Sequence, residues 1–365
     1  MPLLPSQNEN DLSRASVSSG EPRNVLKRSE ALQNKANLIE QRKVRAAIVS
    51  VVSNSGLVVA KLVIGLVIGS VSVTSEAIHS GVDLAAALIA WFAVRTAGKP
   101  ADEDHPYGHG KVENVSGTIE ALLIFAAAGW IIFEAMHKLT DPQPMENVGL
   151  GAVVMGVSSV VNILVSRHLF KVGSETDSVA LQADAWHLRT DVYTSAGVMF
   201  GLALIWTGKL FFPSTSLDWV DPVAAIAVAA LILKAAYDLT KQSAKDLLDA
   251  KLPTQEEKWI RDRIRSRLPT VVGYHDLRTR KAGSKRFVEF HMVVSPDMTV
   301  KNSHALITEL ADEIRTRFPE SSVLIHVDPC CDPCPPDCIP GCMATSEQKR
   351  PPTGHKEPGT REKSK

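Results

Sequence analysis

The chain of 365 residues lacks net charge, and it lacks cysteine outside one short segment. Its 40 Lys and Arg residues balance 40 Asp and Glu residues, which argues against a dedicated nucleic-acid-binding protein, because such proteins are basic. All five cysteines lie within residues 330–342. Residues 1–25 lack the apolar core of a cleavable signal peptide, so we expect none.

Charge is also scarce in one long stretch of the chain. The mean hydropathy of +0.02 is typical of a soluble protein. However, residues 44–240 hold only 28 charged residues, whereas the much shorter stretch 241–329 holds 29. The average therefore combines two unlike regions, and a hydrocarbon environment explains why the longer one avoids charge.

Six apolar runs in the charge-poor region predict an α-helical membrane protein with six transmembrane helices. Each run reaches the roughly 20 residues that a helix needs to span a bilayer. The alternative is a large buried helical core, which six runs of spanning length disfavour. The runs cover approximately residues 44–70, 72–97, 114–137, 147–170, 178–207 and 221–240.

The positive charges that flank these runs predict the orientation in the membrane. Eleven Lys and Arg residues lie near the span ends on one side, and two lie on the other. Because positive residues concentrate on the cytoplasmic side, both termini are predicted to be cytoplasmic. We expect a disordered cytoplasmic N-terminus (1–40), a transmembrane domain (41–245), a cytoplasmic domain (250–329) and a Cys-containing, disordered tail (330–365).

Beyond residue 250 the pattern predicts a C-terminal cytoplasmic α+β domain of order αββαβ. Its helices are expected at 254–268 and 300–317, and its strands at 275–280, 286–294 and 322–328. Strand alternation places Val288, Phe290 and Met292 in the core and His291 on the opposite face. His326 and Asp328 share the outer face of the last strand.

Two His-x-x-x-Asp pairs lie inside predicted spans, where polar residues are costly and usually functional. His79 and Asp83 lie in the second span, and His187 and Asp191 lie in the fifth. Residues four apart share one face of a helix. Two such helices could form a tetrahedral N/O site of the kind that Zn²⁺ favours. A buried hydrogen-bonded pair is the alternative for either helix alone, and Asp184 is either a further site residue or a span-entry carboxylate.

Two more segments carry metal-ligating residue types. The loop between the second and third spans contains Asp102, His105 and His109, which suit a divalent metal but also an ordinary acidic surface loop. The tail offers a possible four-thiolate site or a flexible reduced segment. Its candidate ligands are Cys331, Cys334, Cys338 and Cys342.

Together these residues resemble the cation diffusion facilitator family of divalent-metal/proton antiporters, of the bacterial zinc and ferrous-iron efflux type. The resemblance covers about residues 40–330. It rests on both intramembrane pairs, the loop motif of residues 100–113 (PADEDHPYGHGKVE), and the segments HDLRTR and IHVDP at 275–280 and 325–329.

The resemblance implies a homodimer in the bacterial inner membrane with a metallochaperone-like cytoplasmic domain. It implies a transport site at His79, Asp83, His187 and Asp191, and a loop site at Asp102, His105 and His109. It also implies a salt bridge between Lys111 and Asp249 that ties the two domains together. A further metal site at the dimer interface is implied at His275, His291, His304, His326 and Asp328.

The implied activity is export of Zn²⁺ in exchange for protons, which would make the protein a transporter and not an enzyme. Some bacterial relatives carry Asp where this chain has His79, and imidazole should favour Zn²⁺, Cd²⁺ or Co²⁺ over Mn²⁺, with Fe²⁺ less favoured. The expected partners are the lipid bilayer, divalent metal ions and protons, and no nucleic acid.

A metal-responsive membrane scaffold that binds ions without moving them is the alternative function. An intramembrane zinc hydrolase is disfavoured because the chain has no His-Glu-x-x-His motif.

Lys61 lies inside the first span without an assignable partner, and its side chain could snorkel to the outer interface.

Overall fold

The computed structural model describes residues 22–68, 71–140, 149–211, 220–330 and 342. Six long helices come first, and a small α+β unit follows them. The helices are α1 (Pro22–Ile68), α2 (Val71–Ala97), α3 (Lys111–Thr140), α4 (Gly149–Thr176), α5 (Val179–Phe211) and α6 (Val220–Leu247). The remaining elements are α7 (Thr254–Arg265), β1 (Val271–Ala282), β2 (Lys285–Val294), α8 (Val300–Arg317) and β3 (Ser321–Pro329).

The predicted helical membrane domain is confirmed. Within the described residues, four segments are long and apolar enough to cross a membrane: Gln33–Val67, Ala77–Ala97, Lys111–His137 and Pro222–Leu247. Helices α4 and α5 coincide with the fourth and fifth predicted spans, and their 28 and 33 residues also suffice to cross a bilayer.

Helix α1 begins earlier than expected. It starts at Pro22, so the expectation of disorder is corrected for residues 22–40, while residues 1–21 lie outside the described part of the chain. Proline is favoured in the first turn of a helix. The following segment is rich in good helix formers such as Ala, Leu, Gln and Lys, and it continues directly into the apolar span.

Helix α5 lies at the centre of the bundle, because it contacts α2, α3, α4 and α6. Small side chains allow this close packing. Ala183 and Ala185 on α5 are completely buried, as are Ala86 and Ala90 on α2. The candidate site residues of α2 and α5 are therefore carried by two helices that contact one another inside the bundle.

The cytoplasmic unit has the predicted αββαβ order. Its sheet has the strand order β1-β2-β3, with β1 and β2 antiparallel and β2 and β3 parallel. The inward face of β2 is as predicted, since Val288, Phe290 and Met292 are buried in a core shared with both helices. The opposite face is left to polar residues, and the strand register aligns His275, His291 and His326 across it.

The β1–β2 turn inserts between the membrane helices. Gly283 has a positive φ of 60°, and its N–H donates to Asn114 Oδ1 at 2.6 Å. The next residue, Ser284, accepts from Lys43 Nζ at 2.9 Å. Lys43 also pairs with Glu113 at 3.3 Å and is 0 % exposed. Lys43 is one of the positive residues that flank the first predicted span, and the structure places its side chain in the buried centre of an inter-domain junction.

A second set of ion pairs surrounds this junction. Asp177, between α4 and α5, accepts from both Lys281 and Arg286 at 2.8 Å. Arg286 also bonds Glu256 on α7 at 2.8 Å. The cytoplasmic sheet is thus joined to α1, α3 and the α4–α5 turn through named polar contacts.

Candidate metal centres

The two intramembrane His-x-x-x-Asp pairs meet across α2 and α5. His187 Nε2 lies 3.3 Å from Asp83 Oδ1, and His79 Nε2 lies 3.7 Å from Asp191 Oδ1. Each histidine therefore pairs with the aspartate of the other helix. Spacing of four residues puts both side chains of a helix on one face, and the α2–α5 contact brings the two faces together.

The His187–Asp83 half of the site is buried, whereas the side chain of His79 is 57% exposed, and several ligand atoms are unused. Asp83 is 4 % exposed and His187 is 5 % exposed. Among the described residues, neither His187 Nδ1 nor Asp191 Oδ2 has a hydrogen-bond partner. His79, Asp83 and Asp191 each offer one ligand atom, and these atoms lie within 4.8 Å of one another. Buried imidazole and carboxylate groups with free lone pairs suit a divalent cation.

Lys61 does not reach the membrane interface, which corrects the snorkelling hypothesis. Its side chain is buried, and its Nζ donates to Ser80 Oγ at 2.8 Å. Ser80 directly follows His79 in α2. Lys61 therefore links α1 to the segment of α2 that carries the site.

The α2–α3 loop gathers its three predicted residues around one carboxylate. Asp102 lies 3.1 Å from His105 Nδ1 and 3.2 Å from His109 Nε2. The three residues also offer ligand atoms within 4.8 Å of one another. The backbone N–H of His105 donates to Asp102 and holds the pKa of that carboxyl below its usual range. The carboxylate therefore stays ionised and available to a cation at neutral pH.

A third cluster lies on the open face of the cytoplasmic sheet. Asp328 is its centre, at 2.8 Å from His291 Nδ1, 3.3 Å from His275 Nε2 and 3.2 Å from His326 Nε2. The register places one histidine on each strand at the same level, which brings neighbouring rings to 4.9 and 4.7 Å. Four of the five predicted residues are thus together.

The fifth predicted residue lies elsewhere. His304 is exposed on α8, and it is outside the cluster that the described residues of one chain form. In the tail, Cys342 is described and forms an isolated β-bridge with Gly273. Cys331, Cys334 and Cys338 lie outside the described residues.

The implied inter-domain salt bridge is present. Lys111 Nζ lies 3.0 Å from Asp249 Oδ1, and both side chains are about half exposed. The sequence reasoning missed the buried partners of Lys43 and also a carboxylate inside α3, Glu120, which is completely buried. The rule that selected His79 and Asp83, polarity inside a predicted span, also applies to Glu120.

Comparison with known proteins gives concordant results. Residues 47–248 match the cation efflux transmembrane domain, and residues 252–330 match the cytoplasmic domain of cation efflux proteins. An uncharacterised transporter of Synechocystis is 35% identical over 264 residues, covering 72% of this chain and 83% of that protein.

Two further relatives are a pump and a solved domain. The cation-efflux pump FieF of Citrobacter koseri is 33% identical over 288 residues, covering 78% of this chain and 92% of the pump. The metal-bound C-terminal domain of the CzcD transporter from Thermotoga maritima is 32% identical, covers 21% of this chain and 94% of that domain, and gives a TM-score of 0.19. The transmembrane match spans more than half of the chain, and the chain therefore belongs to the cation efflux (cation diffusion facilitator) family of membrane transporters.

Proposed function

We propose that the protein exports Zn²⁺, or a similar divalent cation, from the cytoplasm in exchange for protons. The ion would bind to His79, Asp83, His187 and Asp191 between α2 and α5. The observation that carries this proposal is the crossed pairing of two histidines with two aspartates between α2 and α5, where Asp83 and His187 are buried. A protein that only senses metal has no need of ligands at that depth.

Competition between metal and protons supports the exchange. Imidazole binds metal only when it is neutral, and carboxylate binds metal only when it is ionised. Protons that enter from the outer side would displace the ion, and their departure towards the cytoplasm would restore the site. The reference pKa of histidine, near 6.5, suits such a switch at physiological pH. Movement of helices around a buried site would expose it alternately to the two sides.

The two other clusters have supporting roles in this proposal. The loop cluster at Asp102 lies before the start of α3 and would bind ions near the membrane surface. The sheet cluster at Asp328 would bind cytoplasmic metal at the contact between two copies of the chain, where His304 would contribute a ligand. Metal would neutralise the clustered ligands and draw the two copies together, so the protein would act as a homodimer that senses metal load.

The orientation follows from the positive residues that flank the spans. Both termini would be cytoplasmic, and the protein would lie in the inner membrane of a bacterium. The bacterial origin of relatives such as the Citrobacter koseri pump supports this location.

Ion flux into proteoliposomes tests the proposal. The purified chain should take up Zn²⁺ under a pH gradient, and D83A or D191A should abolish uptake while the protein remains folded. D238A is a matched control, because Asp238 lies on α6 with an exposed side chain. Normal uptake by D83A or D191A would disprove the four-ligand site. Binding without flux by the unaltered chain would instead support the metal-responsive scaffold.

The same assay ranks the candidate ions. We expect Zn²⁺, Cd²⁺ and Co²⁺ to be transported faster than Mn²⁺, because two imidazole ligands favour the softer ions. Fe²⁺ should lie between these groups.

A further inference from the structure

Two carboxyl groups outside the proposed ion site are buried on α3 and α5, which contact each other in the membrane domain. Glu120 lies on α3 and Asp184 lies on α5, and both residues are 0 % exposed. Their chain neighbours Ala121 and Ala183 belong to one buried cluster, and the charge of Asp184 acts on Glu120. Among the described residues, no Lys, Arg or His side chain forms an ion pair with either carboxyl group.

The hydrogen bonds around the two groups leave them incompletely satisfied. Ser116 donates to Glu120 Oε1 at 3.2 Å, while Glu120 Oε2 has no partner among the described residues. Ser50 on α1 approaches Asp184, but neither oxygen of Asp184 accepts a hydrogen bond of normal geometry from a described residue.

The surroundings of Glu120 are otherwise apolar. Among the described residues, Asp184 is the only titratable group that acts on Glu120. The α6 surface that packs against this part of α3 is formed by Ile232, Ala236 and Leu239. Asp184 is also influenced by Asp83 on α2 and by His187 on its own helix.

Such a pair must hold a proton. A carboxylate in an apolar interior without a cation is strongly unfavourable. Two carboxylates that share one site cannot both be ionised. At least one of the two groups is therefore a neutral acid at physiological pH, so the pair can accept a proton and give one up.

The positions of Glu120 and Asp184 along their helices indicate where the pair lies relative to the ion site. Asp184 lies five residues into α5, and His187 lies one helical turn further along. Glu120 lies nine residues into α3, about 13 Å from its first residue. If the termini are cytoplasmic, the pair lies between the cytoplasm and the deeper end of the His/Asp site.

We propose that Glu120 and Asp184 form a proton-exchange pair through which protons leave the His/Asp site towards the cytoplasm. This inference rests on the proposed function. When a divalent cation enters the site, a proton leaves a ligand there. The pair accepts that proton on Asp184 and releases one from Glu120 to the cytoplasm. Its own charge is unchanged after each cycle, and no other reactant is consumed.

Three substitutions on α3 separate proton exchange from packing. E120Q keeps the volume of the side chain but removes the acid, whereas E120D keeps the acid and shortens the side chain. Proton exchange predicts that E120Q slows Zn²⁺ flux at least about tenfold, while E120D keeps most of the flux. E134Q, the same change at an exposed position of the same helix, should behave as the unaltered chain. A packing role predicts the reverse order, active E120Q and slow E120D, and that order would overturn the inference.

Equilibrium Zn²⁺ binding to the same purified proteins adds a readout that does not depend on flux. E120Q and D184N should bind as many ions per chain as the unaltered protein, which also shows that they are folded. Loss of one bound ion would make the pair a metal site and would overturn the proton assignment.

Different flux results would contradict the proposed antiport and the proposed proton-exchange pair. If the unaltered chain gives no flux, or a flux that ignores the pH gradient, the proposed antiport fails. If the unaltered chain is proton-coupled and E120Q is equally fast, the antiport stands and the proton-exchange pair fails.

Discussion

One half of the membrane site and the sheet cluster use the same side chains in opposite environments. Between α2 and α5, His187 is 5 % exposed and pairs with a buried aspartate, whereas the side chain of His79 in the other half is 57% exposed. On the sheet, the side chain of His326 is 65 % exposed although it also contacts an aspartate. Water can solvate the sheet cluster when no ion is bound, whereas the buried His187–Asp83 pair needs a cation or protons to balance it. We therefore expect metal and protons to be coupled more strongly at the His187–Asp83 pair than on the sheet.

The two clusters also differ in what assembles them. The membrane site needs two helices to contact each other with the right faces, and α5 makes that contact from the centre of the bundle. The sheet cluster needs only the register of three neighbouring strands. A cluster on an open strand face can accept a ligand from another chain, whereas the buried His187–Asp83 pair is enclosed by helices.

The largest expected difference between the two clusters is in transport. H187A should reduce Zn²⁺ flux by at least about 100-fold, because it removes a proposed ligand and leaves Asp83 unpaired in the buried half of the site. H326A should change flux by no more than about threefold, since it removes an exposed group from the sheet cluster. Flux into proteoliposomes under one pH gradient measures both.

H168A is the matched control, because His168 is exposed on α4 and belongs to none of the three clusters. Equal losses in H187A and H326A would remove the functional distinction between the membrane site and the sheet cluster.

Two contacts join the membrane and cytoplasmic domains, the buried junction around Lys43 and the Lys111–Asp249 salt bridge, and we expect them to contribute differently to stability. K43M should lower the free energy of unfolding by about 3–5 kcal/mol, because it leaves Glu113 unpaired in a buried junction. K111M should lower it by less than about 1 kcal/mol, since the Lys111–Asp249 pair is half exposed. Thermal unfolding of the purified protein in detergent measures both.

The order of these two effects is the critical result. If K111M destabilises the protein as much as K43M, then the exposed salt bridge implied by the family is the main link, and the buried junction around Lys43 is secondary.

An effect smaller than that of K43M concerns pH and the outer ion pairs of the junction. Burial alone would raise the pKa of Glu256, but its hydrogen bonds with Arg286 outweigh burial and hold the pKa below its usual value of 4.5. The pair therefore contributes stability above about pH 4.5, and this contribution is lost as the pH falls through the lower pKa of the folded state. R286Q should lower the free energy of unfolding by about 1 kcal/mol at pH 7, after allowance for solvent screening.

Unfolding of R286Q and the unaltered chain at pH 7 and again near pH 3.5 checks this prediction. The difference between the two proteins should shrink as the pH falls, because protonation of Glu256 removes the charge that pairs with Arg286. A difference that stays constant would mean that Glu256 contributes nothing through its charge.

Sequence patterns were sufficient to predict which candidate residues share one face of a helix or strand. Polarity within an apolar span identified His79 and Asp83, and helical spacing placed them on one face. Strand alternation correctly put Phe290 in the core and His291 on the opposite face. These features depend on the repeat of a single helix or strand, so the order of residues is sufficient to predict them.

The same reasoning was least accurate for groups whose role depends on a distant partner. Lys43 flanks the first span in the sequence, but its hydrogen-bond partner Ser284 lies 241 positions further along the chain. The sequence allows Lys61 to snorkel, but its side chain donates to Ser80. Glu120 is also polar within a span, but it lacks the His-x-x-x-Asp spacing, and Asp184, whose charge acts on it, lies on another helix.

Hydropathy and charge along the chain are enough to predict a charge-poor helical membrane body joined to a charge-rich α+β domain. They also predict where polar residues interrupt an apolar span, since hydrophobicity and helical periodicity are local properties of the chain. The pairing of His187 with Asp83 and the burial of Lys43 emerge only from the fold, as does the finding that no described Lys, Arg or His side chain pairs with Glu120. The reason is that burial and pairing depend on which helices contact one another, and the environment they create sets the energy of every charge.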